Sequence, residues 1–356
     1  MKSLHLGNLV VSVPVIQGGM GVGISLSGLA AAVANEGGVG VISSAGLGLL
    51  YKDFSQNFLE ASIHGLKEEI RKAREKTKGI LGVNVLVAMT NFADMVRTAI
   101  AEKIDILIAG AGLPLDLPSF LQKDSTTKII PIVSSARAAR LICEKWKSNY
   151  NYLPDAVIVE GPKAGGHLGF KEEQISDDNF SLEKLVPEIA RELKVFEEES
   201  NKPIPLIAAG GIYTGEDINN MLKLGASGVQ MATRFVATEE CDASPAFKQK
   251  YIDAREKDIE IIKSPVGMPG RAIFSNFLEN VKKGKKQPKN CPFKCIRTCD
   301  ISNSPYCIII ALINAFKGNF EHGFAFAGSN AFRATKISTV KEIFQSLLKE
   351  YKGGRS

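Results

Sequence analysis

Histidine and tryptophan are scarce in this chain, with four His and one Trp among 356 residues. Imidazole is the side chain whose ordinary pKa lies closest to working pH, so few positions can carry acid–base chemistry of that kind. Long apolar runs are missing as well. No stretch approaches the roughly 20 residues of a membrane span, and residues 9–16 are too short for the apolar part of a signal peptide and precede no small-residue cleavage site. Cytoplasm is the expected location. No G-x-G-x-x-G follows an apolar run and no G-x-x-x-x-G-K-[ST] occurs, so neither dinucleotide-fold nor P-loop nucleotide binding is indicated. Strong charge imbalance is also absent, since 44 Lys and Arg against 38 Asp and Glu give +6. Part of that excess lies in Lys282-Lys-Gly-Lys-Lys-Gln-Pro-Lys289, read as a solvated loop in preference to a contact for nucleic acid or an acidic carrier. Neither nucleic acid nor membrane is an expected partner.

What is present is a rhythm. Short runs rich in Val and Ile occur at residues 11–16, 39–42, 81–85, 106–109, 129–133, 156–159, 206–208 and 229–232. Between them, segments at 27–35, 66–77, 94–102, 136–147, 182–199 and 217–224 have helical spacing; Pro114 and Pro118 interrupt the segment where a fourth helix is due. Buried strands alternating with amphipathic helices call for parallel pairing, because parallel strands need crossover connections. Eight units over about 240 residues fit an α/β fold of the closed (β/α)8 TIM-barrel type, with a smaller, mainly helical cap near the C-terminus. An open doubly wound sheet is the alternative. Small or polar residues follow every one of the eight runs, and only a closed barrel brings all eight strand ends to one face.

Candidate functional residues sit on those ends. The turn Glu160-Gly-Pro-Lys-Ala-Gly-Gly-His-Leu-Gly169 can bring backbone close to a ligand while aiming His167 at it, although a histidine that merely satisfies the turn is the bland reading. Gly210-Gly211 after the seventh run, with Asp217 as cap of the following helix, and Gln230-Met-Ala-Thr-Arg234 after the eighth, which adds a hydroxyl and a guanidinium, occupy the usual phosphate-binding loops of a barrel. Two glycines after a strand are more often a simple tight turn; both loops together say more.

Six ordered motifs carry a family resemblance: Pro14-Val-Ile-Gln-Gly-Gly-Met20, Gly82-Val-Asn84, Gly110-Ala-Gly112, residues 160–167, Ala208-Ala-Gly-Gly-Ile212 and Gln230-Met-Ala-Thr-Arg-Phe235. Over most of residues 1–255 the chain resembles the nitronate monooxygenase (2-nitropropane dioxygenase) family, which also includes the flavin-dependent enoyl-acyl-carrier-protein reductases. The resemblance implies non-covalent FMN at the C-terminal face. It gives the phosphate to Gly210, Gly211, Ala232 and Thr233, the isoalloxazine to Gly18, Gly19, Met20 and Asn84, and the same binding turns to Gly165, Gly166, Gln230 and Met231. His167 matches the active-site histidine, and Gly328 and Ser329, in the small-residue turn 324–330, are substrate-side candidates. Lys163 stands where many relatives carry Glu, and Ala232 replaces a common glycine. The implied division is an FMN-binding barrel at 1–250, a helical substrate cap at 251–335 and a C-terminal helix at 336–356 packing on the barrel.

In the favoured reading the enzyme oxidises nitronates or nitroalkanes with O2 to a carbonyl compound and nitrite, the reaction for which the family is named. The alternatives are an enoyl-acyl-carrier-protein reductase using NAD(P)H, and a flavin- or carrier-binding protein without turnover. The partners are a small-molecule substrate, nitronate or enoyl thioester, and O2; a homodimer is compatible with the sequence. Four of the six cysteines lie at Cys291, Cys295, Cys299 and Cys307. A helix would put the first three on one face, which would suit a metal or iron–sulfur cluster, but Pro292 and the spacing fit no common site. Reduced packed thiols are the main expectation, with no metal, and a redox disulfide remains a further option.

Overall fold

The computed structural model describes residues 1–353. Its centre is a closed barrel of eight parallel strands: β1 (Val15–Gln17), β2 (Val39–Ser43), β3 (Ile80–Leu86), β4 (Ile106–Gly110), β5 (Lys128–Val133), β6 (Val157–Glu160), β7 (Leu206–Ala209) and β8 (Gly228–Met231). Each pairs with the next, and β8 returns to β1 through Val229–Val15 and Gln230–Ile16. Alternation sorts the side chains into two cores. Val39, Val41, Ile106, Ile108, Ile130, Ile158 and Ile207 fill the lumen, while Val83, Leu107, Val157, Val159 and Val229 face the surrounding helices.

The first strand is shorter than the run at 11–16 suggests. Val11 ends a hairpin strand (Leu9–Val11) paired with Leu4–Leu6, and the barrel strand starts only after Pro14, which has no N–H to give a ladder. Leu4, Leu6 and Val11 pack into the lumen cluster, so this hairpin closes the N-terminal end of the barrel.

The main helices between the strands are α1 (Ser27–Asn35), α2 (Phe58–Lys76), α3 (Phe92–Ala101), α4 (Ala136–Tyr150), α5 (Leu182–Ser200) and α6 (Gly215–Lys223), with one helical turn at Leu47–Leu50. Helix α2 begins well before residue 66 because the Asn57 side chain accepts hydrogen bonds from the N–H groups of Leu59 and Glu60. After β4 there is only a 3-10 turn, Leu117–Phe120, where the two prolines forbid a longer helix. After β8 the helix is a single turn, Thr233–Val236. Its place against α1 and α6 is taken by the C-terminal helix α7 (Val340–Gly353); the last three residues of the expected segment 336–356 lie outside the described residues.

Between the barrel and α7 the chain leaves the strand–helix alternation. A ribbon of β9 (Ile259–Lys263) and β10 (Pro269–Ile273) gains a third, two-residue strand from Gly166–His167. Helices at Pro245–Ile252, Asn276–Lys282 and Ile308–Phe316 flank it. Residues 291–299 are turns and bends, not helix, so the common helical face for Cys291, Cys295 and Cys299 does not form. Their loop is instead pinned to the β3–α3 loop, with Thr90 N–H donating to the Cys295 carbonyl (3.1 Å) and Arg297 N–H to that of Ala88 (2.9 Å).

Candidate active site

All eight strand ends open into one cavity of ≈ 460 Å³ at the C-terminal mouth, roofed by Tyr251, Met268, Leu312 and residues 326–330. That volume lies within the usual range for small-molecule sites. Gly18, Gly19 and Met20 line it after β1, Asn84 from β3, and Gly165, Gly166 and His167 after β6. Gly210 and Gly211 line it after β7, Gln230, Met231, Ala232 and Thr233 at the end of β8, and Gly328 and Ser329 from the roof. The four clustered cysteines are not on its wall. All six cysteines are free, and among the described residues no group of three or more His, Cys, Asp or Glu is arranged to hold a metal.

Gly165 and Gly166 show why this turn is glycine. A Cβ on Gly165 would lie 2.5 Å from the backbone of Ala327 and Gly328, so loop and roof touch main chain to main chain. Gly166 has φ +78°, and the space beside it is open. The roof turn is stitched to three barrel loops: Gly328 N–H donates to Thr233 Oγ1 (3.2 Å), Ser329 N–H to the Lys163 carbonyl (3.1 Å), and Asn330 Nδ2 to the Gly211 carbonyl (2.6 Å).

His167 is held from the cap. Its Nε2 lies 2.7 Å from Ser264 Oγ, in the β9–β10 connection, and its ring meets Phe326 edge-on at 5.0 Å. Arg271 of β10 reaches under the same turn and donates to the carbonyls of Pro162 (2.5 Å) and Ala164 (2.7 Å). Nδ1 of His167 has no hydrogen-bond partner among the described residues. Burial pulls the imidazole pKa down to about 4, because little water remains to solvate an imidazolium. The ring is therefore neutral at physiological pH.

Two residues grouped with the phosphate loops by sequence are engaged elsewhere. The guanidinium of Arg234 turns outward to the Tyr213 carbonyl (2.8 Å), Ser346 (3.0 Å) and Glu350 (3.2 Å), where it anchors α7. Asp217 is not the N-cap of α6. Thr214 is, and Asp217 completes a capping box with it, its carboxylate accepting from Thr214 N–H (2.8 Å). Conversely, Ser264, Arg271, Tyr251 and Glu160 carry no sequence expectation. Arg271 and Ser264 give no local motif, since their partners lie about a hundred residues away. Glu160 stood in view at the head of the histidine turn.

A closed (β/α)8 barrel with a glycine-walled cavity over its strand ends and one partly buried histidine on the wall defines a barrel enzyme. Comparison with known proteins narrows the class. The nitronate monooxygenase family model matches residues 2–350, and the chain belongs to that family, a family of oxidoreductases that are in general flavoenzymes. A probable nitronate monooxygenase from Bacillus subtilis is 26% identical over 95% of both chains. The (3aS,4S,5R,7aS)-5-hydroxy-7a-methyl-1-oxo-octahydro-1H-indene-4-carboxyl-CoA dehydrogenase of Mycobacterium tuberculosis is 28% identical over 77% of this chain; the match spans 66% of that enzyme, just under two thirds of its length. Among solved structures, FabK from Thermotoga maritima superposes with a TM-score of 0.74 at 29% identity, covering 96% of this chain and 94% of its own. A nitroalkane oxidase from Streptomyces ansochromogenes, at 20% identity and TM-score 0.73 with 96% of both chains covered, shares the fold.

Proposed function

We propose that this chain is an FMN-dependent nitronate monooxygenase that converts alkyl nitronates or nitroalkanes and O2 to a carbonyl compound and nitrite. The cavity suits a flavin. Gln230 Oε1 is buried without a hydrogen-bond partner, an acceptor suited to a ring N–H or a ribityl hydroxyl. The paired glycine turn at Gly210-Gly211 and the Ala232-Thr233 turn offer backbone donors and a hydroxyl for a phosphate. Bound FMN supplies the redox and oxygen chemistry. Gly18, Gly19, Met20 and Asn84 border its ring in this reading, with Gly165, Gly166 and Met231 completing the binding turns. Gly328 and Ser329 lie on the substrate side. The same reading divides the chain into a barrel at 1–250, a substrate cap at 251–335 and the C-terminal helix.

The observation that carries the proposal is the seat of His167, on the cavity wall with its Nε2 2.7 Å from Ser264 Oγ. A neutral imidazole, fixed through Nε2 to Ser264 and with Nδ1 free, accepts a proton from the acidic carbon of a nitroalkane or donates Nδ1–H to a nitronate oxygen, according to tautomer. Ser264 positions the ring, and Lys163 adds positive charge to a wall that meets an anionic substrate.

A second reading, an NAD(P)H-dependent enoyl-acyl-carrier-protein reductase, is favoured by the similarity to FabK and to a CoA-thioester dehydrogenase. Anaerobic flavin bleaching separates the two. Bleaching by propionate 3-nitronate without pyridine nucleotide is the expected outcome, whereas rapid bleaching by NADH or NADPH alone would replace the monooxygenase with the reductase.

A further inference from the structure

Glu160 ends β6, where Ile158 fills the lumen and Val157 and Val159 face the helices, so alternation aims Glu160 into the cavity floor above Ile158. Glu160 pairs in register with Ala209, and Ala209 with Gln230. The carboxyl and the amide therefore stand on one level of the floor, on either side of a single methyl group. Among the described residues neither has a protein partner: Gln230 Oε1 has none, and removal from water alone acts on the carboxyl, with no hydrogen bond or charge contributing. An acid held largely out of water without a partner is costly, and such groups ordinarily find one. Here both groups line the cavity, which can supply one.

We propose that Glu160 is a proton-holding hydrogen-bond partner of the flavin ring, taking up an additional proton when bound FMN is reduced. This rests on the FMN reading above. Two electrons from an oxidisable substrate add negative charge to the ring system; a neutral carboxylic acid stabilises that charge by donating to it, and a carboxylate repels it. By linkage, reduction raises the affinity of Glu160 for its proton, and protonation of Glu160 raises the potential of the ring equally. Unligated, burial already holds Glu160 at about 7, so the exchange falls in the physiological range.

The other ionisable groups around the floor are few. His167 stays neutral in this range, and burial pushes the Tyr251 hydroxyl up while it donates to the Phe326 carbonyl. Arg271 is engaged by Pro162 and Ala164, and Lys163 lines the wall after β6. The facing ends of β3, β5, β7 and β8 present Asn84, Ser134, Ala209 and Gln230, none of which titrates. Arg271 and Lys163 persist in a Glu160→Gln variant, so the difference between variant and parent isolates the carboxyl.

The test is the midpoint potential of FMN bound to the full chain, measured by dithionite reduction against a reference dye from pH 6 to 9. The expected result is that the parent potential falls more steeply than that of E160Q above pH 7, by up to about 30 mV per pH unit for one extra proton per two electrons. Parallel lines overturn the proposal. If E160Q does not fold or bind FMN, the infrared difference spectrum of parent reduction at pH 8 decides: a growing carboxylic-acid carbonyl band is expected, and its absence overturns the assignment. A parent protein that binds no FMN overturns the cofactor reading itself, and with it this proposal; parallel lines on the loaded protein sink this proposal alone.

Discussion

The barrel mouth and the cap build the same cavity with different materials. The strand ends supply mostly backbone and small residues: Gly18 and Gly19, Gly165 and Gly166, Gly210 and Gly211. The cap supplies the side chains that fix orientation, Ser264 on His167 and Arg271 on the carbonyls beneath the same turn. A barrel alone would hold a ligand without aiming the histidine. The cavity wall and the groups that orient His167 are thus encoded in separate stretches, and variants in one should spare the other.

The largest expected effect is at the residue where the two regions meet. His167→Ala should lower turnover with saturating nitronate by about 10² to 10⁴ while FMN stays bound, the usual worth of a positioned acid or base. Full turnover by flavin-loaded H167A would overturn the catalytic role proposed for it and leave the cap's grip on it structural.

The pH dependence of apoprotein stability should expose two opposed titratable groups on the cavity wall. Glu160 holds its proton in the folded state up to about 7, against an unfolded value of 4.5. Its contribution is therefore full below pH 4.5 and is lost as pH rises through 7. His167 refuses its proton down to about 4, against 6.5 when unfolded, so its contribution is full above 6.5 and is lost as pH falls toward 4. Each is worth on the order of 3 kcal/mol across its window, and between pH 4.5 and 6.5 they cancel. Denaturant unfolding of E160Q should show stability rising with pH in that window, and of H167A falling. Two flat profiles would mean that neither group is buried as described.

Ser264→Ala should cost less. One hydrogen bond to a neutral ring is worth about 0.5–1.5 kcal/mol, so kcat should fall by roughly 2- to 12-fold with KM little changed, and Ser264→Thr should restore it. Nitrogen NMR of the imidazole should show the tautomer mixture broadening in S264A. An unchanged tautomer population would mean that the cap does not orient His167.

The same division explains what was legible in the sequence. The barrel could be read because each strand is a local run with period-two burial and each helix a local period, and because glycine turns advertise themselves. Misreadings came where one residue overrode a pattern: Pro14 split the first run, Asn57 started α2 early, and Thr214 took the cap assigned to Asp217. Arg234 looked like a phosphate ligand because nothing local shows that Glu350 lies 3.2 Å away. The glycine turns that line the cavity, and His167 on its wall, were visible for the same local reason. Ser264 and Arg271 were not, because their roles rest on contacts across 97 and 107 to 109 residues.

The cysteine loop gives the smallest expected effect, and it tests whether the cap is irregular for want of a metal. Cys295 is buried against Val22, Met89 and Ile309, and burial pushes its thiol up to about 12. Such a thiol is a small apolar filler, unreactive by pKa control. The loop is held by main-chain bonds to Ala88 and Thr90, and these need no ligand. Cys291→Ser and Cys299→Ser should therefore change stability by no more than about 0.5 kcal/mol, and Cys295→Ala by roughly 1 kcal/mol for the small cavity left behind. Iron and zinc in anaerobically purified protein should be substoichiometric. Stoichiometric metal, or collapse of the cap in C291S, would show that the loop closes around an ion and that its order is bought by ligation, not by its seat on the barrel.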